Sequence, residues 1–393
     1  MNDRSKELDG LRGIAILLVI AHHVLKRADY FTANGFLHFI TRLSLVGWMG
    51  VDIFFVLSGF LITSILLKAK DEKNYYKNFY ARRVLRIFPL YYAALALFLI
   101  AVKFVPAVAK TADTTIPYLP TFLLYQQNWL YLFSIYPSAY LSVTWSLAIE
   151  EQFYLIWPAI VRMTNQKLLT WISAGIVILS LLVRTVATLL SPDSEQLPVI
   201  FFYNTFTRLE GLALGALTAI FFITPTNWQA TVKRLALPAS IVTMILFLYL
   251  AFIASPAGPH PLYRNIPLGT IGYTLLAFSS AAMIIFLTSG AETSLIRKIF
   301  ANGGLVFFGK YSYSMYLFHM PVALTLLDIM VKAKVRGWEY YVAYSALTVV
   351  ITSLLALLTW NILENPLLKL KRHFTNESET HEQLKSQNSG QPN

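Results

Sequence analysis

The chain contains no cysteine, which excludes disulfides, thiolate metal ligation and cysteine nucleophiles. Charge is also scarce. Only 13% of the 393 residues are Asp, Glu, Lys or Arg, against roughly 25% in soluble domains. With 56% of residues hydrophobic, the deficit points to lipid as the solvent. No loop is long enough to fold as a soluble domain. No internal repeat is visible, which weakens the case for a transporter built from inverted halves. The first apolar run lacks a small-residue cleavage site, so it is expected to be a retained span rather than a signal peptide.

What is present is a series of apolar stretches, each near the roughly 20 residues that cross a bilayer. Ten stand out, at about 11–28, 47–67, 87–108, 145–161, 168–190, 200–222, 235–255, 267–289, 304–328 and 340–362. The expected fold class is all-α, a polytopic membrane helix bundle of about ten transmembrane helices. Membrane barrel strands would instead alternate over roughly 10-residue segments. The stretch "TIPYLPTFLLYQQNWLYLF" (115–133) is interrupted by prolines, glutamines and an asparagine and reads as interfacial or re-entrant.

The net charge of +12 would suggest nucleic acid in a soluble protein. Here it fits cationic loops on the cytoplasmic side, and no nucleic-acid partner is expected. With ten spans and both termini cytoplasmic, most of the 32 Lys and Arg fall inside. The proline-bearing loops "SPDSEQLP" and "SPAGPHP" then lie outside. The division expected is a membrane domain over 1–368 and a disordered cytoplasmic tail over 369–393, which is polar and poor in aromatics.

Ionisable residues within spans are costly and mark functional sites by default. On the first helix, Arg12 and His23 stand eleven residues apart in "LRGIAILLVIAHH". At about 100° per residue they return to one face, about 16 Å apart along the axis. His22 lies about 100° away, toward packing or a neighbouring helix. Asp52, near the start of the second span, falls at a similar depth to His23. A carboxylate there could orient the imidazole and raise its basicity; a purely structural Asp–His or Asp–Arg pair is the alternative. Ser58 and Gly59 read as helix packing.

In "KNFYARRVLRIFPLYY", Arg82, Arg83 and Arg86 cluster at the mouth of the third span. Planar guanidinium forks suit phosphate, although such arginines also set topology and meet lipid headgroups. In "TWSLAIEEQFYLIWP", Glu150 shares a side with Phe153 and Tyr154. A buried glutamate needs a partner, and Arg208 is a candidate. The Gly211–Gly215 spacing reads as close helix packing. In "FFGKYSYSMYLFHMPV", Ser312, Tyr316 and His319 make one polar stripe, and Pro321 removes a backbone donor behind it. Glu364 in "WNILENPLLKLKR" reads as interfacial. Together these residues put phosphate-type arginines at the cytoplasmic face and titratable groups deeper. A substrate with an anionic head and a reactive group within the membrane would match. On spacing alone, an enzyme and a transporter or flippase using a His/Asp/Glu proton relay stay open, and a membrane sensor without chemistry is a third class.

Seven segments carry a resemblance: "LDGLRGIAILLVIAHH", "GVDIFFVLSGFLIT", "ARRVLRIFPLYY", "TWSLAIEEQFYLIWP", "TRLEGLALGAL", "YSYSMYLFHMPV" and "ILENP". In this order, over about 8–366, the chain resembles the acyltransferase-3 family of membrane O-acyltransferases. The resemblance implies acyl-CoA, often acetyl-CoA, as donor and no metal. It implies transfer to a sugar hydroxyl of a surface polysaccharide, a lipid-linked glycan or a glycosylated small molecule, in the bacterial cytoplasmic (inner) membrane. The family's Arg-x10-His pattern falls on Arg12 and His23, and its motifs also cover Asp52, Arg83, Arg86, Glu150 and His319.

On this reading His23, Asp52, Glu150 and His319 are the candidate catalytic residues. Arg12, Arg82, Arg83 and Arg86 would hold the CoA phosphates. Tyr154, Arg208, Ser312 and Tyr316 would contact substrate. His23 would act as general base or be transiently acylated, with Glu150 and His319 positioning the acceptor or stabilising the oxyanion. Some relatives carry a fused extracytoplasmic hydrolase-like domain. The short tail here leaves any such function to a separate extracytoplasmic partner protein, or to none. Membrane lipid, acyl-CoA and a saccharide or glycolipid acceptor complete the expected partners.

Overall fold

The structure, a computed structural model, describes residues 5–27, 31, 35–253, 265–289 and 294–374. The expected outer loop "SPAGPHP" and the tail from 375 lie outside the described residues. Among the described residues there are helices and turns and no strand. Nine helical stretches there are long and apolar enough to cross a membrane, and the protein is a polytopic helical bundle.

The helices, in chain order, are α1 (Lys6–Leu25), α2 (Gly35–Ser44), α3 (Met49–Lys68), α4 (Tyr75–Phe104) and α5 (Thr144–Met163). Then come α6 (Gln166–Leu190), α7 (Leu197–Tyr203), α8 (Thr205–Ile223), α9 (Gln229–Phe252) and α10 (Tyr273–Ser289). The chain closes with α11 (Leu295–Phe300), α12 (Gly303–Lys310), α13 (Ser312–Lys332), α14 (Trp338–Thr359) and α15 (Asn365–Lys369). Several starts are capped as their sequence dictates. The side-chain oxygens of Ser5, Asn165, Asn204 and Asn302 accept from backbone N–H groups of α1, α6, α8 and α12.

Two departures from the sequence expectation matter. The span expected at 145–161 is α5, a 20-residue helix. Its length suffices to cross, but Glu150, Glu151 and Gln152 make it too polar to count among the nine. It contributes Ser146, Glu150 and Tyr154 to the cavity described below. The span expected at 304–328 is broken. α12 ends at Lys310, and α13 restarts at Ser312, whose hydroxyl donates to the Gly309 carbonyl. The interrupted 115–133 stretch folds as short 3-10 turns around a five-residue helix (Leu119–Leu123), with no element of spanning length.

α1, α3 and α8 are the most buried spans, while α4, α6, α9 and α14 present much of their surface outward. Backbones meet where glycine permits. A Cβ on Gly59 would stand 1.9 Å from the Leu212 carbonyl oxygen, and one on Gly215 would stand 2.1 Å from that of Val56. α3 and α8 therefore touch backbone to backbone, as small residues allow in lipid. α1 seats against α12 in the same way through Gly13 and Gly309. Both ends of the described chain reach one end of the bundle: Glu7 of α1 pairs with Arg297 at 2.6 Å, and the Phe374 carbonyl accepts from Arg82 at 2.7 Å. Leu370–Phe374, placed by the sequence in the tail, are thus a 3-10 turn docked on α4.

Candidate active site

Helices α1, α3, α4, α5 and α13 wall a cavity of about 960 Å³, at the upper end of the 300–1,000 Å³ typical of ligand sites. Its walls carry Arg12, Arg83 and Arg86, with Lys68, Lys233 and Lys371 on the residues nearer the helix ends. Asp9 and Glu150 are its carboxylates. The cation excess suits a polyanion.

Each arginine has its own setting. Arg12 meets the Asp9 carboxylate one turn earlier at 2.9 Å. The Arg83 guanidinium stands 5.9 Å from the centre of the Tyr154 ring and 5.8 Å from that of Phe79, and its Nε has no hydrogen-bond partner. Arg86 lines the wall beside Ile87. Arg82 does not line it. It lies about 100° round the helix from Arg83, on the side covered by the Leu370–Phe374 turn, and donates to Phe374. Three of the four expected anion-binding arginines therefore share the cavity, and Arg82 does not.

Deeper in, Glu150 receives hydrogen bonds from Ser58 Oγ at 3.2 Å and Tyr154 Oη at 3.0 Å. The expected Arg208 partnership is absent. Ser58, which the sequence assigned to packing, is a wall residue, whereas Gly59 does pack. Ser312 and Tyr316 also line the cavity, and the Tyr316 hydroxyl lies 2.6 Å from Ser146 Oγ and donates to the Val143 carbonyl at 2.9 Å. Ser146 and Tyr313 are wall residues that the sequence reading missed. Their polarity was visible, but not which helix face turned inward.

The histidines lie just past this floor. The His319 ring centre is 5.9 Å from that of Tyr316, and His319 is fully buried. His319 Nε2 stands 3.2 Å from His23 Nδ1, which also contacts the Val19 carbonyl at 2.9 Å. His22 turns instead to the Ser44 carbonyl at 3.2 Å. The helical-face argument thus separated the two histidines correctly. It placed Arg12 and His23 on one side, but the cavity takes Arg12 and stops at Tyr316, short of His23.

Asp52 does not meet His23. Its Oδ2 pairs with Arg208 Nη2 at 2.9 Å, and neither residue lines the cavity. The cause is the glycine contact. Gly211 and Gly215 seat α8 on α3, and Arg208, one turn before Gly211, is delivered to Asp52. The Arg208 guanidinium lies 4.3 Å from the Tyr273 ring centre. Beside it, Arg184 of α6 pairs with Glu210 at 2.8 Å, and Thr274 donates to the same carboxylate. Glu364, expected at the interface, is buried and accepts from Ser314. No group of three or more potential metal ligands occurs among the described residues.

A family profile described as "Acyltransferase domain" matches residues 5–357. The chain belongs to the acyltransferase-3 family. It is 31% identical over 384 residues to the peptidoglycan O-acetyltransferase OatA of Listeria monocytogenes, covering 92% of this chain and 55% of that one. It is 30% identical to a Staphylococcus aureus (strain COL) protein provisionally named an O-acetyltransferase, covering 92% and 57%. A Bacillus subtilis protein, provisionally named a peptidoglycan O-acetyltransferase, is 29% identical, covering 92% and 54%. The chain spans about half the length of these relatives. No solved structure matches it. The acyltransferase-3 assignment agrees with the sequence resemblance and with an integral membrane protein of many apolar helices.

Proposed function

We propose that the protein transfers an acyl group, acetyl in the first instance, from cytoplasmic acyl-CoA to a hydroxyl of a cell-envelope glycan. The observation that carries this reading is a cation-walled cavity that ends at Tyr316, whose ring packs beside one member of a histidine pair. The named relatives make peptidoglycan the first acceptor to try. On this reading the end of the bundle bearing Lys68, Lys233 and Lys371 faces the cytoplasm, and the membrane is the bacterial cytoplasmic one.

Arg12, Arg83 and Arg86 would bind the CoA phosphates, where guanidinium forks give charge-assisted bonds. The apolar and aromatic wall of Phe54, Ile87 and Tyr313 would accommodate the pantetheine arm. Glu150, held by Ser58 and Tyr154, and Tyr316 would orient the thioester end. His23 would take the proton of the acceptor hydroxyl, or attack the thioester and carry the acyl group itself. In this reading Asp52 and Arg208 support the fold around the site instead of touching substrate. The functional unit would be the membrane domain of residues 1–368 together with the docked Leu370–Phe374 turn, which brings Lys371 to the cavity wall. A separate extracytoplasmic partner would be needed only if the acceptor must be delivered.

The test is purified protein in detergent, given acetyl-CoA and a soluble muropeptide. Release of free CoA together with an acetylated sugar supports the reading. Flux that depends on a sealed compartment, with no CoA released, would assign the protein to transport instead. Labelled acetyl-CoA without acceptor separates the two versions: an acetyl-histidine adduct supports the covalent one, and turnover with no trappable adduct supports the base.

A further inference from the structure

With the rings oriented as they are, the contacts of the two histidines assign their protons. A carbonyl oxygen only accepts, so a ring nitrogen facing one carries hydrogen. His319 Nδ1 faces the carbonyls of Met315 at 3.1 Å and Tyr316 at 2.8 Å. It is therefore the N–H, and His319 Nε2 is left as a bare acceptor. His23 Nδ1 faces the Val19 carbonyl at 2.9 Å and His319 Nε2 at 3.2 Å. Both are acceptors, so His23 Nδ1 also carries hydrogen. His23 Nε2 is then the unprotonated, basic atom. Nothing in the sequence spacing shows this, because the tautomers follow from helix carbonyls three and four residues back.

We propose that His319 is the positioning residue behind His23, accepting the His23 Nδ1 proton as His23 Nε2 takes up a new bond. This rests on His23 being the reacting base or nucleophile. In the base version, the acceptor oxygen bonds to the acyl carbon and its proton goes to His23 Nε2. The Nδ1 proton passes to His319 Nε2. The carbon–sulfur bond breaks with its electron pair on sulfur, and the proton returns along the same path to give the free thiol. In the covalent version, His23 Nε2 bonds to the acyl carbon, the carbon–sulfur bond breaks with its electron pair on sulfur, and the Nδ1 proton passes to His319 to leave a neutral acyl-imidazole. The acceptor oxygen then takes the acyl group as the carbon–nitrogen bond breaks, the acceptor proton restores neutral His23, and the His319 proton goes to the thiolate. His319 gains a positive charge either way. That charge is met by the two carbonyls already on its Nδ1. The Asp52 carboxylate, which sequence alone put in this place, is held by Arg208.

His319→Gln separates orientation from proton uptake, since its amide oxygen still accepts a hydrogen bond but takes no proton. With acetyl-CoA and a soluble muropeptide, His319→Gln is expected to leave KM for acetyl-CoA within about twofold and to lower kcat by about 10²-fold, the low end of acid–base contributions. The dependence of rate on deuterium fraction in the solvent should change from curved, with two protons in flight, to linear. A wild-type kcat with a curved profile would overturn the relay. If His23→Ala is inactive in the same assay, that result leaves the role of His23 intact; if His23→Ala is active, the underlying reading fails with it. Should the substituted protein not fold, long-range nitrogen NMR on the unsubstituted protein decides, because an Nε2–H tautomer at either histidine refutes the assignment.

Discussion

The bundle holds two groups of buried charge built from the same residue types. In one, Asp52 with Arg208 and Arg184 with Glu210 sit between α3, α6, α8 and α10, paired at 2.9 and 2.8 Å. The 960 Å³ cavity does not reach the first pair, and Tyr273 closes over both guanidinium groups. In the other, Arg12, Arg83 and Arg86 line about 960 Å³ of open space together with Asp9 and Glu150. Burial alone does not mark a functional charge in a membrane. The first group is neutralised internally and holds helices in register. The second lines open space with more cations than carboxylates, which suits an anionic ligand.

The comparison can be broken at several points. Asp52→Ala should have the largest effect, because it strands a buried guanidinium at a cost of roughly 3–5 kcal/mol. The protein should unfold at a markedly lower temperature in detergent, and Asp52→Leu with Arg208→Met should recover most of the loss. A stable, fully active Asp52→Ala protein would remove the structural assignment. His23→Ala should leave the unfolding temperature unchanged and lower CoA release by about 10²–10⁴-fold. A parallel loss of stability would place His23 with the first group. Arg83→Ala should raise KM for acetyl-CoA about tenfold or more, at roughly 1.5–3 kcal/mol for a charge-assisted bond. Arg83→Lys should restore only part of that, since the fork is lost. Arg82→Ala should change KM by less than about twofold, within the roughly 0.5 kcal/mol usual for surface changes. Equal effects at positions 82 and 83 would dissolve the distinction between the cavity wall and the docked turn.

The fold was legible wherever apolar length decides. The spans, the interrupted 115–133 stretch and the all-helical class follow from what lipid permits. α5 was legible too, through its apolar flanks, although its glutamates lower its apolarity. Partners were legible only along a single helix. The 100° step chose His23 over His22, because that is geometry within α1. It could not choose His319 over Asp52, because depth says nothing about which helices are neighbours. The Gly211–Gly215 pattern announced a close contact without naming α3, so Arg208 was offered to Glu150 when the contact delivers it to Asp52. Arg82 failed for a related reason: the residues that cover its side of α4 lie almost 300 positions later in the chain.

The seat of α1 on α12 sets a tolerance on the histidine pair. Gly13 lies under the Leu305 carbonyl, where a Cβ would come within 2.0 Å of the oxygen. His23 is ten residues further on, about 15 Å along the same rod. An alanine at position 13 would act as a wedge, and α1 would carry the tilt like a lever to its far end. The His23–His319 separation of 3.2 Å sits at the upper edge of normal hydrogen-bond length and has only tenths of an ångström to give. A single methyl group, three turns away and with no polar atom, would therefore shift the His23–His319 contact without changing any polar side chain of the site.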